Sequence, residues 1–250
     1  MNSFVHCIWG IYSTKNKLWG RLSKVDTDIR LYTLNPYSPK TMVYCYGTDN
    51  EKRMQDLGFP TTLIDPRPYV YDMEKHQYRH KMEAWKQAAD ELSSMTFLDW
   101  DTIALQPVPL DYWNVMDSGD RIQCPIYQYH KKRVDRKNDY RKVSTASFLY
   151  LRGDDIMPEM IRTWEQMGMP LKEEYALTKY IDDQDGGWGG VEGYRRHDPI
   201  YYTMTPLYPD KDRSKQVFGH YNHNVISRLI GNGTGVKERI DKLCKQIAGG

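Results

Sequence analysis

A chain of 250 residues is long enough to bury a substantial core, as one large or two small domains. With 40% hydrophobic residues it reads as globular rather than disordered, and a net charge of +2 does not by itself imply a nucleic-acid partner. No long uncharged apolar run marks a transmembrane helix, Met1-Asn2-Ser3-Phe4 lacks the pattern of a signal peptide, and the four cysteines form no CxxC pair.

The expectation is a cytoplasmic protein with no membrane partner, no zinc site and no disulfide framework. Cys7 and Cys45 lie inside apolar runs, which predicts buried thiols.

Phe4 to Trp9 reads as a first strand, followed by Gly10-Ile11-Tyr12 and a polar turn. Leu18 to Asn35 carries Leu18, Leu22, Val25 and Ile29 at helical spacing, although Ile29 to Leu34 also alternates; the helix is preferred. Asn35-Pro36-Tyr37-Ser38-Pro39 breaks it. Thr41 to Tyr46 is a second strand. Glu51 to Leu57 suits a short helix with Asp49 or Asn50 as N-cap and Gly58 past its end. Thr61 to Asp65 is a third strand, and strand, helix, strand at this spacing suggests a parallel unit.

A helix is expected over roughly Glu74 to Ser93, where Tyr78, Met82, Trp85, Ala89 and Leu92 form one apolar face. It leads into Met95-Thr96-Phe97-Leu98, an apolar run of strand length, which ends in Asp99-Trp100-Asp101. Residues two apart on a strand point the same way, so extended backbone would put both carboxylates on one side and Trp100 on the other. Paired carboxylates at the end of a buried strand need compensation, and a hard divalent cation such as Mg²⁺ or Mn²⁺ supplies it.

A strand that ends in Asp-x-Asp and continues into Thr102-Ile103-Ala104-Leu105-Gln106-Pro107 resembles the DxD motif of nucleotide-sugar glycosyltransferases with the GT-A fold. The resemblance implies an α/β fold, a Rossmann-like and mostly parallel central sheet flanked by helices. It extends from Phe4 to about Asn224 and rests on the order of elements. It implies one catalytic domain over residues 1–230, with a nucleotide-binding half at about 1–101 and an acceptor half at about 102–230. It also assigns donor contacts to Trp9, Gly10, Ile11 and Tyr12 after the first strand, to Arg79 and Lys81 on the helix that precedes the motif (where His80 is also basic), and to Asp99 and Trp100.

Tyr112 to Met116 and Ile122 to Tyr127 read as further strands. His130 to Lys142 holds seven Lys or Arg against two Asp and reads as a surface loop. With Tyr129 and Tyr140 beside it, this loop suits a polyanionic acceptor, contacted through Lys131, Lys132 and Arg133. Ser144 to Leu151 is another strand, and Ser144 to Ser147 fit the place where such enzymes line the donor sugar. Asp154 or Asp155 is expected to cap a helix to about Met167, with Pro158 in its first turn and Met157, Met160, Trp164 and Met167 facing inward.

Glu173 and Glu174 open a helix whose Ala176, Leu177, Tyr180 and Ile181 face inward. The helix dipole alone explains acids in a first turn. The resemblance adds that in inverting members a carboxylate here takes the acceptor proton, and Glu174 fits that role better than Glu173. After an acidic, Gly-rich loop at residues 182–190, Ile200 to Met204 reads as a late strand. His220, with His223 as the alternative, follows the apolar Val217-Phe218. In glycosyltransferase family eight, to which the chain is loosely similar, a late His completes the metal site with the DxD aspartates; that implies Asp99, Asp101 and His220 as ligands of Mn²⁺ or Mg²⁺. The Lys-Pro-Trp that often follows in family eight is missing here. Residues 231–250 read as a linker and a C-terminal helix with Val236, Ile240, Leu243 and Ile247 on one face.

The implied activity is transfer of a sugar from a nucleoside-diphosphate sugar, UDP favoured, to a hydroxyl acceptor, with Asp101 and Glu174 in catalysis. The acceptor is either a hydroxymethylated base in phage-type DNA or a cell-wall or capsule saccharide. Two other classes stay open: a nucleic-acid-binding protein that keeps a GT-A-like fold without catalysis, and a metal-dependent nucleotidyltransferase or phosphohydrolase. Nothing in the sequence fixes the oligomeric state.

Overall fold

The computed structural model describes residues 1–9, 22–64, 78–128, 142–144, 147–170, 172–184, 202–203 and 217–220. The first half alternates strand and helix: β1 (Asn2–Ile8), α1 (Leu22–Leu34), β2 (Thr41–Tyr46), α2 (Thr48–Asp56), β3 (Thr61–Ile64), α3 (Arg79–Glu91) and β4 (Ser94–Leu98). The second half brings β5 (Thr102–Ala104), α4 (Tyr112–Asp117), β6 (Ile122–Gln123), β7 (Ile126–Gln128), β8 (Lys142–Ser144), β9 (Phe148–Arg152), α5 (Ile156–Gln166), α6 (Glu173–Gln184), β10 (Tyr202–Thr203) and β11 (Phe218–His220).

Six strands form the main sheet in the order β3-β2-β1-β4-β9-β6. β3, β2, β1 and β4 run parallel. β9 then pairs antiparallel with β4, and β6 antiparallel with β9. The fold is therefore α/β with a mostly parallel sheet. Parallel strands need both faces covered, which explains their nearly continuous apolar character. One core layer packs Met82, Trp85 and Ala88 of α3, Met157, Met160 and Trp164 of α5, and Ala176, Leu177, Tyr180 and Ile181 of α6 against Val5, Cys7, Met95 and Phe97. On the other side, Phe4, Tyr32, Leu98, Tyr112, Phe148 and Phe218 form a second cluster. Cys7, Cys45 and Cys124 are buried free thiols. Among the described residues no helix is long and apolar enough to cross a membrane.

The connection from β4 to β5 positions the site. The short β5 leaves the end of β4 and joins a three-stranded sheet, β10-β11-β5, in which His220 pairs with Thr102. The break between β4 and β5 is a turn: the Thr102 amide donates to the Asp99 carbonyl at 2.8 Å.

Several local readings of the sequence are corrected. Asp99-Trp100-Asp101 does not continue the strand as extended backbone; β4 stops at Leu98 because β5 must turn away into another sheet. Tyr112 to Met116 is helix α4, not a strand. Tyr112 and Met116 are four apart, share its inner face and are each 1% exposed. The run from Ile122 to Tyr127 is split, β6 joining the main sheet and β7 pairing with β8. The expected single strand from Ser144 to Leu151 is likewise two, β8 and β9. The N-cap of α2 is Gly47 at φ 86° rather than Asp49 or Asn50, which lie inside the helix. Asp155 does occupy the N-cap position of α5 but makes no cap hydrogen bond, since its carboxylate pairs with Arg121.

Candidate active site

The acidic turn sits at the C-terminal end of parallel strand β4, where ligand crevices of open α/β sheets form. It is held from both sides. The Asp99 amide and the Thr102 hydroxyl both donate to the Ser147 carbonyl, at 2.9 and 2.8 Å, which ties the turn to the start of β9. The Trp100 indole N–H donates to the Cys7 carbonyl at 3.0 Å, which ties it to β1. The Trp100 ring stacks on His6 at 3.9 Å between centroids and 13° between planes. His6 Nδ1 lies 2.6 Å from the Leu98 carbonyl. A carbonyl only accepts, so Nδ1 carries the proton and Nε2 is the bare nitrogen. Burial, only partly opposed by that hydrogen bond, pushes the His6 pKa down to about 3, so the ring is neutral at pH 7.

Three ionisable groups from distant parts of the chain gather at the turn, Lys81 and His220 in contact with its aspartates and Glu173 in contact with Lys81. Lys81, on the first turn of α3, reaches Asp99 with Nζ 2.8 Å from Oδ1 and 3.1 Å from Oδ2. The same Nζ lies 2.7 Å from Glu173 Oε1 at the start of α6. Lys81 and Glu173 are almost wholly buried, and the Phe97 ring flanks the ammonium at 5.2 Å. Burial alone would discharge the lysine, but the two carboxylates outweigh it and hold its pKa well above the usual range. Asp99 is raised by burial and by the neighbouring Asp101, against the pull of Lys81. On the other side of the turn, His220 Nε2 lies 3.1 Å from Asp101 Oδ1. Burial lowers the His220 pKa, but Asp101 overcomes this and the net shift is upward; Asp99 and Glu174 add to it.

The candidate metal donors are two carboxylates and one imidazole, a set of the right kind for Mn²⁺ or Mg²⁺. Asp101 and His220 already stand together, while Asp99 is turned toward Lys81. No group of three His, Cys, Asp or Glu side chains is assembled as a metal cluster among the described residues. The residues fit a divalent cation in donor chemistry, and Asp101 and His220 are the two donors already adjacent.

The other expected residues divide. Trp9 follows β1, its ring parallel to His80 at 6.2 Å, and its indole N–H is buried without a partner among the described residues. Arg79 does not join Lys81. Two positions earlier on α3 it pairs with Glu83 and lies 5.0 Å over the Trp164 ring, facing α5. Glu174 is half-buried on the first turn of α6, within electrostatic range of His220. Gly10, Ile11, Tyr12, Lys131, Lys132, Arg133 and His223 lie outside the described residues. Sequence reasoning misses Glu173 and His6 as site residues. Either member of the Glu173-Glu174 pair can turn inward, and His6 is hidden in an apolar strand with no motif around it.

No family model matches the chain, and no curated protein sequence does. Solved structures do. The glycosyltransferase GlyE of Streptococcus pneumoniae TIGR4 is similar at TM-score 0.52 and 11% identity, over 98% of this chain and 62% of that one. Mouse xyloside xylosyltransferase 1 is similar at TM-score 0.51 and 10% identity, over 90% of this chain and 99% of that one. The galactosyltransferase LgtC, solved with donor and acceptor sugar analogues, is similar at TM-score 0.50 and 12% identity, over 98% of this chain and 96% of that one. The chain thus spans less than two thirds of GlyE and nearly all of the other two. At these identities the likeness is one of fold, and the fold is the GT-A type shared by these glycosyltransferases.

Proposed function

We propose that the protein is a metal-dependent glycosyltransferase that moves a sugar from a nucleoside-diphosphate sugar, a UDP-sugar by preference, to a hydroxyl acceptor. The observation that carries this reading is the meeting of Lys81, Glu173 and His220 on the turn Asp99-Trp100-Asp101, at the end of β4 in a GT-A fold. A structural role alone does not need two carboxylates, a third from α6, a lysine and a histidine in one partly buried place. Buried charge is costly unless compensated, and it concentrates at functional sites. The GT-A neighbours are named for sugar transfer, and one was solved with donor and acceptor analogues.

In this reading Asp99, Asp101 and His220 would hold Mn²⁺ or Mg²⁺, which would supply positive charge against that developing on the departing diphosphate. Lys81 adds a fixed positive charge beside the same oxygens. Trp9, and with it Gly10, Ile11 and Tyr12, hold the nucleoside. Glu174 is placed to take the acceptor proton if the configuration inverts, and to orient the acceptor if it is retained. Arg79, the other donor contact expected from the sequence, is paired with Glu83 and lies over the Trp164 ring.

For the acceptor, the basic stretch from His130 to Lys142 favours nucleic acid, with a hydroxymethylated base in DNA as the nucleophile. The triple variant Lys131→Ala, Lys132→Ala, Arg133→Ala tests it. Transfer to DNA falls and loses its salt dependence; unchanged transfer to a saccharide by the same variant identifies the saccharide as the acceptor. The donor is tested by screening UDP, GDP and CDP sugars for release of nucleoside diphosphate with Mn²⁺. Release of pyrophosphate instead would mark a nucleotidyltransferase.

A further inference from the structure

His6 is wholly buried in β1, where an aliphatic residue would satisfy the packing. Its Nε2 has no hydrogen-bond partner among the described residues. A buried, unpaired acceptor is costly, and that cost is set against what the other ring atoms do. Those atoms grip the acidic turn at two points. Nδ1–H holds the carbonyl of Leu98, the residue just before Asp99. The ring face holds the indole of Trp100, the residue just after it. Tyr32 stands edge-on to both rings, at 4.5 Å from His6 and 5.9 Å from Trp100, and its hydroxyl is fixed on the Pro39 carbonyl at 2.8 Å. Phe59 closes the far side of Trp100 at 5.8 Å, also edge-on. Asp99 is therefore bracketed: neither neighbour can rotate without breaking a contact to His6.

We propose that His6 is a positioning residue that sets the pose of Asp99 and Asp101 through Leu98 and Trp100, a role that rests on the cation and nucleotide reading of that turn. The hydrogen bond fixes the plane of the imidazole, and the plane fixes where the indole lies. The indole N–H to the Cys7 carbonyl completes the lock. His6 itself touches neither carboxylate and needs no contact with donor or acceptor.

The test is the affinity of the full chain for Mn²⁺, alone and with UDP, measured by titration calorimetry well below the melting temperature. His6→Phe keeps a ring under Trp100 and removes the N–H to Leu98. Outer partners of metal ligands typically contribute 10- to 100-fold in metal affinity, so the expected result is at least about tenfold weaker Mn²⁺ binding in the presence of UDP, with cooperative melting retained. A lower melting temperature with unchanged Mn²⁺ affinity would show His6 to be core packing only and would overturn the proposal. If His6→Phe does not fold, His6→Asn carries the same test, since it keeps a side-chain N–H for the Leu98 carbonyl and removes the ring stacked on Trp100. Wild type that binds neither Mn²⁺ nor UDP would overturn the reading of the site, and the positioning role with it.

Discussion

The neutrality of His6 makes a quantitative prediction about acid stability. In the unfolded chain its imidazole titrates near 6.5, and in the folded chain burial lowers this to about 3. A depressed pKa means the unfolded state binds the proton first. The stabilising effect of keeping the ring neutral is complete above 6.5 and is lost as pH falls from there toward 3. A difference of one in pKa between the two states corresponds to about 1.4 kcal/mol, so His6 alone removes roughly 2 kcal/mol of folding free energy as pH falls from neutral to 5. For a domain of this size that corresponds to a fall of about 4–8 °C in melting temperature. The assay is calorimetric melting of wild type and His6→Phe at half-unit pH steps from about 7.5 down to about 5, the range in which the unfolded imidazole takes up its proton. Carboxylates common to both proteins cancel in the difference. The wild-type curve should drop away as pH falls while the variant lacks this component, so the gap between them narrows or reverses. Parallel curves would refute the reasoning, because they would mean that the folded ring takes up its proton in the same pH range as the unfolded one.

Four further outcomes follow from other parts of the fold. Lys81→Met leaves Glu173 buried without its cation and should cost about 3–5 kcal/mol in urea unfolding, and adding Glu173→Leu should recover most of that loss. If the double variant is no better than the single, Lys81 and Glu173 are not the coupled pair that their 2.7 Å contact indicates. Arg79→Gln should leave nucleotide affinity within about twofold by calorimetry while costing about 3–5 kcal/mol of stability, since its partners are Glu83, Glu165 and the Trp164 ring and the buried Glu83 loses its cation. Gly58→Ala, at φ 84° with open space around it, should cost about 1–2 kcal/mol in urea unfolding through backbone strain alone. Gly153→Ala, at φ 108°, should cost more, because its new methyl group would meet the Arg121 guanidinium and the Asp155 carboxylate.

Much of the α/β frame can be read from the sequence because parallel strands advertise themselves. Phe4 to Trp9, Thr41 to Tyr46 and Met95 to Leu98 are apolar on both faces and separated by helical lengths, which leaves little alternative to a covered parallel sheet. The second half is harder to read, for identifiable reasons. Tyr112-Trp113-Asn114-Val115-Met116 is rich in strand formers, yet tertiary packing of Tyr112 and Met116 on one face overrides their propensity. The spacing of those two residues is the available signal. Pro125, and the end of β8 at Ser144 before β9 begins at Phe148 in another sheet, cut strands whose apolar composition runs on without a break. At the site, Asp99, Asp101, Lys81 and His220 are all candidates at the level of sequence, the aspartates because they end an apolar strand, Lys81 and His220 because the resemblance to GT-A enzymes implies them. Their pairing is not legible there. Which of Arg79 and Lys81 faces the turn, and which of Glu173 and Glu174 faces Lys81, depends on the rotation of α3 and α6, and one step along a helix turns a side chain by about 100°.

If the turn Asp99-Trp100-Asp101 is a seat for a cation and a nucleoside diphosphate, both should stabilise the fold together. The most direct measurement is the melting temperature of the full chain with UDP, with and without Mn²⁺, in wild type and in Asp99→Asn, Asp101→Asn. Ligand at about a hundred times its Kd stabilises the folded state by about 2.7 kcal/mol, or roughly 5–10 °C for a domain of this size. The expected result is that rise in wild type, dependent on Mn²⁺ and absent from the double variant. An equal rise in both proteins, or none in wild type with any nucleoside diphosphate, would contradict the assignment of the site.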